Sequence, residues 1–139
     1  MASIRGSNTS PERAIRVLLH SLGYRFRLHR KDLPGRPDIV LPRHQLAILV
    51  HGCFWHQHTG CRYATVPQSN KKFWREKLRG NVQRDSRVLE NLSVLGWRTL
   101  VIWECNLKSE STKQRLTQRL DRAVKSRARH AEVPRQPTR

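Results

Sequence analysis

One segment of 18 residues constrains the fold of this chain more than any other. Residues 51–68, HGCFWHQHTGCRYATVPQ, hold three of the seven His and two of the three Cys, with little periodicity. A polar loop of this kind buries too little apolar surface to hold its own shape, whereas thiolates and imidazoles can bind a metal ion that does so. The segment therefore predicts a domain built around a metal-bound loop.

The remaining Cys lies far downstream and completes a set of four soft ligands. Three thiolates and one imidazole have the composition of a structural zinc site. The predicted ligands are Cys53, His58, Cys61 and Cys105. His51 or His56 satisfies the spacing as well as His58 does. The alternative is three unrelated buried thiols and a surface histidine.

Apolar periodicity along the rest of the chain predicts one α/β domain at residues 10–124, with a small mixed sheet flanked by helices. A helix should begin at Thr9 or Ser10, which can cap it, and end before Gly23. We expect residues 1–9 to form a short flexible arm and the basic residues 125–139 to be disordered. The predicted strands are 24–28, 39–41, 46–50 and 97–103. The remaining predicted helices are 70–79, 82–95 and 110–124.

Three polar residues near the predicted strands are candidates for chemistry. Asp38 precedes the apolar strand 39–41, where an acid is costly to bury unless it is paired or binds a cation. Arg36 or a neighbouring Arg is the alternative partner. His51 and His56 flank the start of the metal-binding loop, and a histidine that zinc does not use can take a proton from water. A single histidine is more often structural, but two close in sequence to the strand that neighbours the one after Asp38 favour catalysis.

The net charge indicates which class of molecule the protein binds. The 139 residues include 28 Lys and Arg but only 10 Asp and Glu, and the formal net charge of +18 predicts a polyanion, nucleic acid before an anionic membrane. No apolar run is long enough to span a membrane, and the start, MASIRGSNTSPE, has no signal-peptide core. We therefore expect a cytoplasmic protein without disulfides. Charge alone leaves a ribosomal or histone-like protein open.

Aromatic residues stand among the cations. Phe54 and Trp55 lie beside a predicted zinc ligand, and Trp74 lies in the run KKFWREK. Rings of this kind can stack on bases or wedge between them. Packing in the core is the alternative, and it is the one that we expect for Trp97 and Trp103.

Several motifs occur along the chain in an order that is typical of one enzyme family. They are LPGRPD at 33–38, HGCFWH at 51–56, the spaced residues Phe73, Trp74, Lys77, Asn81, Arg84 and Asp85, and WEC at 103–105. In these motifs the chain closely resembles the very-short-patch-repair (Vsr) DNA mismatch endonucleases, over nearly its whole length. The resemblance implies a restriction-endonuclease-like fold with a structural zinc.

The resemblance also implies an activity and its partners. Vsr enzymes nick duplex DNA 5′ to the T of a T:G mismatch by Mg²⁺-dependent phosphodiester hydrolysis. Such mismatches arise when 5-methylcytosine deaminates, so the resemblance implies coupling to a cytosine-5 DNA methyltransferase and to mismatch-repair proteins. We expect a monomer that acts on DNA and not at a membrane.

Site residues follow from the resemblance, motif by motif. Asp38 and the backbone carbonyl of Val50 would bind Mg²⁺, and His51 would lie near the scissile phosphate. His56 would be the general base, with Glu12 as its supporting carboxylate. The zinc ligands would be Cys53, His58, Cys61 and Cys105. The DNA-binding residues would be the aromatic wedge Phe54, Trp55 and Trp74, together with Lys77, Asn81 and Arg36.

Two other functions remain open from the sequence. One is a related endonuclease of restriction or defence specificity on the same fold. The other is a zinc-stabilised DNA-binding module without catalysis, against which the acid and histidine cluster argues.

Overall fold

Residues 9–134, the part of the chain described by the computed structural model, form three α-helices, five strands and two short 3₁₀-helices, Pro42–His44 and Glu104–Leu107. The helices are α1 (Ser10–Ser21), α2 (Lys71–Val94) and α3 (Glu110–Lys125). The strands are β1 (Arg27–Leu28), β2 (Ile39–Leu41), β3 (Leu46–His51), β4 (Arg98–Trp103) and β5 (His130–Val133). None of these three helices has the length and apolarity to cross a bilayer.

The strands form one mixed sheet in the order β1-β2-β3-β4-β5. The pairs β1–β2 and β2–β3 are antiparallel, whereas β4 runs parallel to β3 and to β5. The chain returns from β3 to the parallel β4 through the loop at 52–70 and α2, as a parallel connection requires. The predicted mixed α/β architecture is confirmed.

Helices cover both faces of this sheet. On one face, strand residues such as Ile48 and Leu100 pack against Ile15 of α1 and Leu116 of α3, all fully buried. On the other face, alternate strand residues such as Ala47 pack with α2. Because successive strand residues point to opposite faces, the apolar runs of β2 and β3 are buried on both sides. The sheet is thus the middle layer of three, and its strand ends are held rigidly.

Thr9 begins α1 as predicted, with its hydroxyl accepting a hydrogen bond from the N–H of Glu12 at 3.4 Å. This places Glu12 in the first turn, where a carboxylate is favoured by the helix dipole. Its side chain is only 1% exposed.

One prediction in the middle of the chain is wrong. Residues 70–79 and 82–95 do not form two helices, since α2 runs without a break through Gly80. A glycine inside a helix costs about 1 kcal/mol, which burial of Leu78 and Leu92 along the same helix outweighs. The continuous helix carries residues that were predicted to bind DNA and core-packing residues on a single rigid element.

The prediction of disorder after α3 is also wrong for the described residues. Strand β5 pairs with β4 in register from Thr99↔His130 to Ile102↔Val133. Arg98 ties this segment down, because its guanidinium donates hydrogen bonds to four backbone carbonyls, those of His44, Ala123, Val124 and Ala128. Most of the arm, residues 1–8, and the end of the tail, residues 135–139, lie outside the described residues.

Candidate active site and metal centre

A pocket of about 570 Å³ opens where β2 begins and β3 ends. The loop before β2 closes one side. There Gly35 has φ of +72°, and a Cβ at this position would overlap the side chain of Val88 on α2. Glycine therefore allows the loop to lie against α2 at the pocket rim. The polar and charged lining residues are His29, Lys31, Arg36, Asp38, His51, His56 and Asp85.

Asp38 lies in the pocket wall and is bound across the sheet. Its Oδ2 accepts a hydrogen bond of 2.7 Å from the backbone N–H of Val50 in β3, and its own carbonyl accepts one from the N–H of His29. Burial raises the pKa of Asp38 to about 6, while the Val50 hydrogen bond opposes the rise. An ionised carboxylate here is costly unless a cation offsets it. The sequence also allowed Asp38 to pair with Arg36. Among the described residues, these two side chains share no hydrogen bond or salt bridge.

Glu12 contacts a histidine other than the predicted one. Its Oε2 accepts a hydrogen bond of 2.5 Å from Nε2 of His29. The ligand atoms of Glu12, His29 and Asp38 lie within 4.8 Å of one another, which would suit a cation bound by oxygen and nitrogen. Helix α1 thereby contributes one buried acid beside Asp38.

The carboxylate on His56 belongs to Asp85. His56 Nδ1 donates to Asp85 Oδ2 at 2.6 Å, so the prediction that Glu12 supports His56 is corrected. A proton held on Nδ1 leaves Nε2 as the basic nitrogen, and the acid stabilises the imidazolium that forms when Nε2 takes a proton. The His56 side chain is 29% exposed, so it is open to a water molecule.

His51 stacks on His56, with ring centroids 3.9 Å apart and the planes within 6°. Burial lowers the pKa of His51 to about 3, so the ring is neutral at physiological pH. Its Nδ1 is buried and has no hydrogen-bond partner among residues 9–134. Because buried polar atoms are nearly always paired, this nitrogen indicates a contact with a ligand or water in the pocket.

Sequence reasoning assigned no role to two residues of this pocket, His29 and Asp85. Asp85 carried a weak signal, since it is one of four Asp in the chain and stands in a strongly basic stretch. His29 carried none, because it reaches Glu12 only once β1 is placed beside β2. Both pairings depend on tertiary packing.

The predicted zinc ligands come together at one place. The ligand atoms of Cys53, His58, Cys61 and Cys105 lie within 4.8 Å of one another. Nδ1 of His58 is 3.7 Å from Sγ of Cys53 and 3.6 Å from Sγ of Cys105. A tetrahedral zinc ion would separate sulfur and nitrogen ligands by about 3.6 Å, so the four side chains fit it. Of the three candidate histidines, His58 is the one in this group.

Burial also bears on the chemistry of the metal group. It raises the pKa of the Cys53 thiol well above its ordinary value and lowers the pKa of His58. A buried thiolate is therefore costly without a cation, and a neutral imidazole is ready to bind one.

The predicted aromatic residues form a partly exposed cluster beside the pocket. Ring centroids are 4.9 Å apart for Phe54 and Trp55, 5.8 Å for Phe54 and Trp74, and 6.0 Å for Trp55 and Trp74. Phe73, which is 58% exposed, contacts Trp74 edge-on and extends the cluster. None of these rings belongs to the buried core, whereas Trp103 does, as expected.

The polar residues predicted to contact DNA differ in their surroundings. Lys77 is exposed on α2, and Arg36 lines the pocket. Asn81 donates from Nδ2 to the carbonyl of Trp55 at 3.0 Å and accepts from Arg84. In this structure Asn81 therefore holds the aromatic cluster in place.

Known sequences similar to this chain include one family model and several curated enzymes. A family model described as DNA mismatch endonuclease Vsr matches residues 1–62. The type II nicking enzyme V.XorIIP of Xanthomonas oryzae pv. oryzae is 54% identical over 107 residues, which cover 77% of this chain and 78% of that enzyme. The DNA mismatch endonuclease Vsr of Escherichia coli K12 is 38% identical over 135 residues, 96% of this chain and 86% of its own length.

A solved structure has the same fold. The catalytic domain of the homing endonuclease I-Bth0305I superposes with a TM-score of 0.57 and 22% identity, over 86% of this chain and all of that domain. At this identity the likeness concerns the fold alone, a sheet flanked by helices.

Proposed function

The chain belongs to the Vsr family of DNA endonucleases, and from this premise we propose that it nicks duplex DNA 5′ to the T of a T:G mismatch. One observation carries the proposal: the acidic group around Asp38 and the pair His56–Asp85 face the same pocket. Hydrolysis of a phosphodiester needs both charge neutralisation and a base for water, and the pocket offers both.

His56 is the base in this proposal. Its Nε2 accepts a proton from water as the water oxygen bonds to phosphorus and the bond to the leaving oxygen breaks. Asp85 holds the ring in the required tautomer and stabilises the charge that the ring acquires. His51, neutral and buried, presents its unpaired Nδ1 to the phosphate.

Asp38 and the carbonyl of Val50 would hold Mg²⁺. The geometry supports this role, because the Val50 N–H already fixes the carboxylate at the pocket wall. The bound ion would neutralise charge that grows on the phosphate and the leaving oxygen. Glu12 and His29 add a second acid and an imidazole on the same side of the pocket.

We propose that the aromatic cluster recognises the mismatch. A mispaired step is stacked more weakly than a regular one, so that a wedge of Phe54, Trp55 and Trp74 costs less unstacking energy there. The exposed Lys77, the pocket residue Arg36 and the net charge of +18 supply contacts to phosphates that do not depend on sequence.

Zinc is the ion that we propose for the Cys53–His58–Cys61–Cys105 group. A filled tetrahedral site has no open position, so its role is structural. It would clamp the loop that carries Phe54, Trp55 and His56 to Cys105, which lies two positions after the end of β4. We further propose that the substrate arises from deaminated 5-methylcytosine and that the enzyme acts as a monomer beside a cytosine-5 methyltransferase and mismatch-repair proteins.

The test is a nicking assay on matched pairs of end-labelled duplexes that contain a T:G or a C:G pair within a library of flanking sequences. We expect a nick 5′ to the T, only with Mg²⁺, and loss of the nick in Asp38→Ala. Equal cleavage of T:G and C:G duplexes would instead indicate a restriction or defence nuclease. Binding without cleavage under any divalent ion would indicate a DNA-binding module.

A further inference from the structure

Glu132 stands in the part of the chain where no structure was expected, and it has a defined set of partners. On β5 it pairs in register with Val101 of β4. Its Oε1 accepts a hydrogen bond of 3.1 Å from Nε1 of Trp103, and its Oε2 accepts one of 3.1 Å from His130. The ring of Trp103 is only 6% exposed. A buried indole N–H needs an acceptor, and here the last strand provides it.

Trp103 in turn separates two histidines of different sites. Its ring stacks on the zinc-group residue His58, with centroids 4.2 Å apart and planes within 6°. It meets the ring of His51 edge-on at 5.1 Å. His51 then stacks on His56 at 3.9 Å. A hydrogen bond from Trp103 to Glu132 and two ring contacts therefore connect Glu132 to His56, the residue that we assign as the base.

We propose that Glu132 is a positioning residue for the nuclease site, acting through Trp103 on the His51–His56 stack. The proposal rests on the proposed role of His56 as the base. Glu132 does not line the pocket and touches no reacting atom. Its carboxylate fixes the rotation of the Trp103 ring, and this ring contacts His51 edge-on. Without an acceptor for its N–H, the indole would turn towards water, and His51 would lose the contact that holds its stack with His56 in place.

The same contacts explain why a strand follows α3. The side chain of His130 links β5 to β4, since it lies 2.7 Å from the hydroxyl of Thr99. Asn106 donates to the carbonyl of Val133 at 2.6 Å and to that of Trp103 at 2.8 Å. These hydrogen bonds hold β5 in the position that places the carboxylate of Glu132 at the indole N–H of Trp103. The tail strand thus supports both the metal group and the pocket.

The experiment compares Glu132→Ala with Glu132→Gln and with Glu90→Ala, which removes an exposed acid on α2. Single-turnover nicking of the T:G duplex is measured beside NMR spectra of the free protein, read at the Trp indole N–H and His ring resonances. We expect Glu132→Ala to slow nicking by about 10- to 100-fold with unchanged DNA affinity and zinc content. It should also shift the Trp103, His51 and His56 resonances. Glu132→Gln keeps an acceptor oxygen and should restore both readouts, and Glu90→Ala should match wild type.

A double variant keeps the proposal testable if Glu132→Ala does not fold. Trp103→Phe removes the indole N–H, so that Glu132→Leu, which offers no acceptor, should slow nicking in the wild type and have no further effect in that background. Unchanged His51 and His56 resonances in Glu132→Ala would overturn the proposal, as would a rate equal to wild type. The spectra need no substrate, so they test the positioning role even if the T:G specificity fails.

Discussion

The carboxylate of Asp85 lies 2.6 Å from Nδ1 of His56, although 29 positions separate the two residues in the chain. One turn earlier on the same helix, Asn81 donates to the carbonyl of Trp55 at 3.0 Å. Residues four apart on a helix share a face, so α2 holds two consecutive loop residues with two neighbouring side chains. The proposed wedge and the proposed base are thereby fixed to one rigid element.

Replacing Asp85 by Asn should impair catalysis and spare binding. An amide can present its N–H₂ to Nδ1 and stabilise the wrong tautomer, and it cannot stabilise the imidazolium. We expect the single-turnover nicking rate to fall by about 10²- to 10⁴-fold, with the Kd for DNA unchanged. Asp32→Asn, which alters an exposed acid paired with Arg30, is the control and should retain the wild-type rate. A comparable loss in both variants would refute the role of Asp85.

Asp38→Asn should stabilise the protein in Mg²⁺-free buffer at pH 8. The folded-state pKa of Asp38 is about 6, above its ordinary value of 3.8, so the folded protein binds a proton that the unfolded chain releases between these values. Stability from this group is therefore greatest at low pH and is lost as the pH rises to about 6. We expect the variant to gain about 2–3 kcal/mol at pH 8 and little at pH 4.

Thermal unfolding at the two pH values measures this gain. Mg²⁺ should raise the Tm of the wild type and not that of the variant, because the ion offsets the buried charge. A variant with a lower Tm than the wild type at pH 8 would show that the carboxylate is satisfied without a cation. In nicking assays, kcat/KM of the wild type should fall as the pH drops through about 6, where Asp38 takes up a proton.

Variants of the proposed zinc ligands should show which of the three loop histidines binds zinc. His58→Gln and Cys105→Ser each remove one of four ligands, so both should lose bound zinc and the folded structure of the loop. His56→Gln should retain zinc while losing activity, because His56 pairs with Asp85. Metal analysis of the purified variants, with circular dichroism to monitor folding, makes the comparison. Full zinc content in Cys105→Ser would exclude Cys105 from the ligand set.

Trp55→Ala should reduce mismatch discrimination more than general affinity. Stacking of a base on an aromatic ring contributes about 1–3 kcal/mol, and this contribution is realised only where the step opens. We expect the Kd for a T:G duplex to rise by about 10-fold or more, and the Kd for a C:G duplex to change little. Equal losses on the two duplexes would make Trp55 a packing residue. Asn81→Ala should show a weaker form of the same effect, since it releases the Trp55 carbonyl.

Some parts of the site could be predicted because their chemistry is local. Cys53, His58 and Cys61 lie within nine positions, and Asp38 immediately precedes an apolar strand. The aromatic residues carry their own signal, since large rings among cations are unusual at a surface. Helix and strand periodicity located α1, β2, β3, β4 and α3 for the same reason.

The errors concern places where distant segments compete with local preference. The predicted break between residues 79 and 82 includes Gly80, but packing along the whole helix outweighs the low helix propensity of glycine. Residues 130–133 have no apolar pattern of their own, and they form a strand because β4 offers an open edge for pairing. Glu12 was assigned to His56 in place of His29, an error that only the position of β1 could reveal.

The sequence by itself determined the fold class, the family, the ligand chemistry and the identity of the acid at the head of β2, because these depend on residue type and short spacing. Only the tertiary structure decided the pairings Asp85–His56, Glu12–His29 and Glu132–Trp103. Each of them joins elements far apart in the chain, and their geometry follows from how helices α1 and α2 and strand β5 pack around the sheet.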